Sequence, residues 1–266
     1  MSNRRGQNTR RNRRSNLHAA GSSPREPRTI PVVWLSTIVA VFLLGPAWIS
    51  TVTFFTCFRQ VAAHTGFWLR EEVWFFALGV VLWLIAFFGL RRPLIVYVFG
   101  HELTHALWVW CMGGRVSDFH VSKDGGHIIS DKHNFWIALT PYFFPLYSIL
   151  VIAAWWGATF FTNMEPYHRW LYALIGITWA FHVSFTLWMI PKGQTDLSHY
   201  GTFFSLVVIY IMNLAILTLL LIIASPHVSW RAFGIEWVRN AHAFAQWNLF
   251  AAHRARLLLH SIIHPS

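Results

Sequence analysis

Leu94-Ile-Val-Tyr-Val-Phe-Gly-His101-Glu102-Leu-Thr-His105-Ala-Leu-Trp-Val-Trp110 is the stretch on which the reading of this chain turns. Apolar residues flank two histidines and a glutamate in the pattern H-E-x-x-H. On an α-helix, positions four apart share a face, so His101 and His105 present two imidazole nitrogens to one point in space. Glu102 sits about 100° round the helix. There it can reach a water held at that point without being a ligand. Such side chains are costly in an apolar segment unless they face a metal ion or a polar cavity. The spacing therefore predicts a Zn²⁺ site, with His101 and His105 as ligands and Glu102 as the base that deprotonates a bound water.

Outward from the motif, the composition is that of a membrane protein. Of 266 residues, 55% are hydrophobic and 12% charged, against about 25% charged in soluble domains. Apolar runs at 32–55, 73–90, 94–112, 135–161, 170–190 and 203–224 are each long enough, or nearly so, to cross about 30 Å of hydrocarbon. The expected fold is an all-α polytopic membrane protein of about six transmembrane helices. A small β-hairpin should follow the motif helix, at 113–131, where Val116, Phe119, Val121, Ile128 and Ile129 alternate with polar residues between Gly pairs. Its open edge could pair with an extended substrate strand.

The chain divides into a basic tail (1–30), a transmembrane unit (31–225) and a basic, aromatic C-terminal segment (226–266). The tail carries eight Arg against Glu26 alone. It reads as a disordered cytoplasmic segment touching anionic lipid, with no specific nucleic-acid partner expected. In the C-terminal segment, Phe233, Trp237, Ala241 and Phe244 share a helical face opposite Arg239 and His242, as in a helix lying on the bilayer. With six spans, the tail, Arg91, Arg92, Arg169 and the Arg after 230 fall on one side. Arg59, Arg70, Arg115, Lys123, Lys132 and Lys192 fall on the other. Both termini are thus expected in the cytoplasm, most simply at a bacterial cytoplasmic membrane. Cys57 and Cys111 make no disulfide framework and read as packing residues.

A catalytic zinc usually has a third protein ligand. Asp196 is the only acid between residues 166 and 235. It lies in a polar connection, and counting along the spans puts it near the face opposite the histidines. It reaches them only if the connection at 191–201 folds back as broken, cavity-lining backbone. His182, in the fifth run, and His199 are the other candidates; Asp118, Asp124 and Asp131 belong to the hairpin.

Gly100-His-Glu-Leu-Thr-His-Ala-Leu107, the Gly113-Gly114 hairpin, Thr140-Pro141-Tyr-Phe-Phe-Pro145, and Gln194-Thr-Asp-Leu197 with Gly201 together resemble the site-2 protease family of intramembrane zinc metalloproteases. The resemblance covers roughly residues 98–210. It implies His101, His105 and Asp196 as zinc ligands, Glu102 as catalytic base, and a membrane protein or peptide as substrate. Asp196 is followed here by Leu197 where better-known members have Gly, and Thr140-Pro141 stands near where they carry Asn-Pro, as in a divergent branch. A relative without activity, acting as a scaffold or binder of transmembrane segments, is the alternative. A di-iron oxygenase lacks its further histidine boxes here, and a transporter does not need one metal-like polar set.

Overall fold

A computed structural model describes residues 30–225 and 228–263. The basic tail lies outside these residues, apart from its last position. The chain is a bundle of helices with one two-stranded hairpin. Helix α1 (Ile30–Ala63) is followed by a short turn of helix, α2 (Thr65–Trp68), and by α3 (Glu71–Gly89). Glu71 and Glu72 occupy the first turn of α3, where negative charge is favoured by the helix dipole. Arg91-Arg92-Pro93 ends that helix, and the motif helix α4 (Leu94–Cys111) begins directly after the proline. At its far end the Gly113 N–H donates to Trp110 O and the Gly114 N–H to Val109 O. This double closure stops a helix and turns the chain.

Strands β1 (Val116–Ser122) and β2 (Gly125–Ser130) then pair antiparallel, with His120 opposite His127. Next come α5 (Phe135–Leu139), a 3₁₀ turn (Thr140–Tyr142), α6 (Leu146–Thr159) and α7 (His168–Met189). The chain ends in α8 (Thr195–His199), α9 (Thr202–Ala224) and α10 (Trp230–Ile263). The hairpin expected from alternation is present, and it packs on α4.

The backbone of the bundle is the contact between α3 and α7. At Gly79 an added Cβ would collide with the Ala173 carbonyl, and at Gly176 with the Phe76 carbonyl. Two main chains touch where side chains would normally separate them, the small-residue packing favoured between helices in lipid. Glu71 meets Arg169 near the start of the two helices and Phe87 meets Phe185 near their other end, so they run parallel. Further along, Trp83, Phe87, Phe181 and Phe185 form an aromatic cluster that takes in Tyr97 of α4, whose ring stacks on Phe185 at 4.8 Å.

Among the described residues, four helices are long and apolar enough to cross a membrane: α1, α3, α7 with its flanking turns, and α9. A fifth crossing results if α5 through the 3₁₀ turn and α6, bent by 76°, count as one broken span. The motif helix is not among them, because His101, Glu102 and His105 dilute its apolar character.

This corrects the sidedness expected from six alternating spans. Arg70 donates to the Ala224 carbonyl at 2.6 Å, and Arg169 lies 3.8 Å from Glu71. Arg92 and Lys192 both sit over the Trp188 ring. Residues assigned to opposite sides by simple alternation therefore share an end.

The C-terminal helix also differs from expectation. The face bearing Phe233, Trp237 and Phe244 packs on α1 and its neighbours, while the later large apolar residues, from Trp247 to Ile263, stay exposed. Trp237 donates to Ser50 at 3.0 Å, Asn240 to Thr53 at 3.1 Å, Phe244 lies over Gly45, and Phe233 packs with Cys57 and Val61. The periodicity marked the buried face correctly; it could not say whether helix or lipid would cover it.

Gly176→Val should destabilise the protein by about 1–3 kcal/mol or prevent folding, since neither main chain can yield. Gly157, on α6, has open space around it, so Gly157→Ala should be near neutral. Thermal unfolding in detergent compares the two; equal melting temperatures would refute the backbone contact.

Candidate metal centre

Asp196 reaches the motif histidines because the chain after α7 does not continue straight on. A 3₁₀ turn at Ile190–Lys192 leads to Gly193 at φ +79°, a left-handed conformation that costs glycine little. The chain then enters α8, with Asp196 in its first turn. Leu197 anchors this short helix in a core with Leu139, Tyr142, Phe143, Val208 and Ile209. Ser205 of α9 donates to the Leu197 carbonyl at 3.0 Å. The fold-back anticipated for 191–201 is thus built from one turn, one buried leucine and one hydrogen bond.

The result is a converging donor set. Oδ2 of Asp196 lies 3.3 Å from His101 Nε2 and 3.4 Å from His105 Nε2. One donor atom from each residue falls within 4.8 Å of the others, so the group can hold a metal ion. Both histidines are buried and Asp196 is partly so. Four ligands at about 2.0–2.2 Å in a tetrahedron stand roughly 3.4 Å apart, and the two separations to Asp196 match that edge. They are long for charge-assisted hydrogen bonds, which run at about 2.7–2.9 Å.

The atoms behind the ligands fit a metal site as well. His105 Nδ1 is 2.7 Å from the Ile137 carbonyl. A carbonyl only accepts, so Nδ1 carries the proton, and a neutral imidazole then leaves Nε2 as a bare lone pair. That lone pair faces a carboxylate oxygen. Such an approach is repulsive unless a cation lies between them or the ring takes a second proton. A ligating histidine usually donates its other N–H to a carbonyl, carboxylate or water in this way.

The Ile137 carbonyl is free for a specific reason. Its helical partner would be the N–H of residue 141, and residue 141 is proline, which has none. Asn134 caps α5 by accepting from Ile137 N at 2.9 Å, so both polar groups of Ile137 are fixed. Tyr142, one residue past the proline, donates its hydroxyl to Asp196 Oδ2 at 3.2 Å. Tyr142 and the Ile137 carbonyl were not anticipated from sequence, although a proline four residues after a carbonyl in a helical run is a legible signal that the carbonyl is unclaimed.

Glu102 is buried and lies near enough to His105 and Asp196 for their charges to act on it. The hairpin covers it: a Cβ at Gly126 would be 2.6 Å from Glu102 Cγ and 2.8 Å from Val98 Cγ1. The rival ligands fall elsewhere. His182 is not in the converging group. His199 packs against His133 and Tyr200, with ring centroids 4.7 Å away in each case. Partial burial, then the neighbouring His199, holds the His133 imidazole below its ordinary pKa. Asp118 pairs with His127 on the hairpin at 3.3 Å, and Asp131 accepts from Arg115 N.

Comparison with protein families, with curated proteins and with solved structures finds no match to this chain.

Pro141→Ala restores an N–H that competes for the Ile137 carbonyl. Zinc affinity, measured by chelator competition, should fall by about 10-fold or more with helix content unchanged. Unaltered affinity would show that the carbonyl does not orient His105.

Proposed function

We propose that this protein is a zinc-dependent hydrolase of peptide bonds lying in or beside a membrane. The observation that carries the reading is the convergence of His101, His105 and Asp196, with Glu102 on the same helix and buried beside them. Two imidazoles and one carboxylate suit zinc; magnesium and calcium favour all-oxygen sites. Three protein ligands leave one position open, as catalysis needs. Bound there, zinc supplies a Lewis acid for the scissile carbonyl and lowers the pKa of a water to about 7.

The chain's own groups do the rest. Glu102 accepts the proton of the attacking water and delivers it to the leaving amine nitrogen. Tyr142 holds the Asp196 oxygen, and the Ile137 carbonyl holds the His105 ring, so the ligands need not reorganise during the reaction. The hairpin has only two strands, which leaves main-chain donors and acceptors on its outer edges. An extended segment of substrate can pair there, beside Glu102.

The apolar helices support an integral membrane location. Arg91, Arg92 and Lys192 stand at the end of the bundle where α3 and α7 finish. There Gly201 meets Val33, so the start of α1 shares that end. The Arg-rich tail precedes it, and by the positive-inside tendency this end faces the cytoplasm.

Purified protein should hold about one zinc per chain, and His105→Ala should lose it. Glu102→Gln should keep the metal and abolish hydrolysis of transmembrane reporter peptides, because an amide cannot take the proton. Undiminished zinc in His105→Ala would overturn the metal assignment. Normal cleavage by Glu102→Gln would remove Glu102 as base.

A further inference from the structure

Beside His101 lies a cavity of about 20 Å³, lined by Tyr97, His101, Thr104, Phe181 and His182 among others and not by Asp196. Three facts about its polar lining belong together. First, Nε2 of His182 is buried and has no hydrogen-bond partner, while the ring also faces the Tyr142 main chain. Second, the two motif histidines are unequally supported. His105 Nδ1 has a carbonyl at 2.7 Å, whereas the partner of His101 Nδ1 is the Tyr97 hydroxyl at 3.4 Å. Good N–H···O bonds run at about 2.7–3.2 Å. Third, the Thr104 hydroxyl donates to the Gly100 carbonyl at 2.7 Å, which leaves its lone pairs available. A buried imidazole nitrogen with no partner carries a desolvation cost that a native protein usually relieves.

Water is the ligand whose chemistry suits such a set of groups. A polar cavity above about 10–15 Å³ holds a water, and such a water makes two to four hydrogen bonds. We infer that this cavity binds an ordered water that accepts from His101 Nδ1–H and donates to His182 Nε2, making His182 a positioning residue for the His101 ligand. The second water proton has Thr104 Oγ1 as its acceptor. His182 thereby becomes the counterpart of the Ile137 carbonyl. Each ligating ring has its far nitrogen fixed, one by main chain and one through water anchored on α7. A histidine that looked like a rival ligand acts one layer out. This role rests on the metal assignment above, but the bridge itself exists in metal-free protein.

The test uses full-length protein in detergent. Zinc affinity is measured by chelator competition for wild type, His182→Leu and His182→Gln, with thermal unfolding of the metal-free forms as the check on folding. His182→Leu removes the acceptor and should weaken zinc binding by about 10–100-fold. His182→Gln retains a carbonyl acceptor and should recover most of that loss. Equal affinity in wild type and His182→Leu overturns the inference and leaves the metal site intact. Failure of the wild type to bind zinc defeats the metal assignment instead. Should the leucine variant not fold, a high-resolution structure of the metal-free wild type decides. Density within hydrogen-bonding distance of both His101 Nδ1 and His182 Nε2 supports the bridge, and a dry cavity overturns it.

Discussion

Two imidazole nitrogens and a carboxylate oxygen are held facing one another in an apolar setting, and the rest of the molecule is organised around that arrangement. The His105 Nε2, whose ring has its other nitrogen on the Ile137 carbonyl, meets the Asp196 carboxylate favourably only when a proton or a metal ion lies between them, and His101 Nε2 closes on the same oxygen. In water the carboxylate would simply turn away. Here it cannot, because Tyr142 grips the same oxygen and Leu197, the next residue, is locked in the core. The donor set is pre-organised by packing, so its reorganisation cost was met during folding.

The packing that achieves this is hierarchical. The glycine contact holds α3 and α7, which run parallel, main chain against main chain. Their aromatic residues hold Tyr97 and so set the position of α4. The end of α7 then determines where the turn to α8 begins, and α8 delivers Asp196. An error at Gly79 or Gly176, remote from the donors in sequence, would propagate along this route to the His101–His105–Asp196 group.

Local patterns in the sequence were legible, and pairings between distant segments were much less so. The H-E-x-x-H spacing identified His101, Glu102 and His105 because helical periodicity alone places them. The hairpin was legible from alternation between Gly pairs. Asp196 stood out through the scarcity of acids, yet span counting put it on the wrong face. Counting assumes that each apolar run crosses completely, whereas here one run is a helix broken at Pro141 and Pro145 and another carries the polar motif. The same assumption misplaced Arg169 and Lys192. Nothing in a linear pattern distinguishes a helical face that will meet lipid from one that will meet another helix, as α10 shows against α1. Groups that hold a ligand from behind are harder still. The Ile137 carbonyl is main chain, invisible to any residue-type search, and only Pro141 hints at it.

Gly126 has an implication for how this protein can vary. The hairpin strand passes so close to Glu102 that no side chain fits between them. The strand and the carboxylate are therefore one mechanical unit: a twist or slip of the hairpin must move the glutamate, and a shift of the glutamate must bend the strand. The exposed turn at Lys123-Asp124 stands only two residues before Gly126, so a change in its length acts directly on the strand that touches the carboxylate.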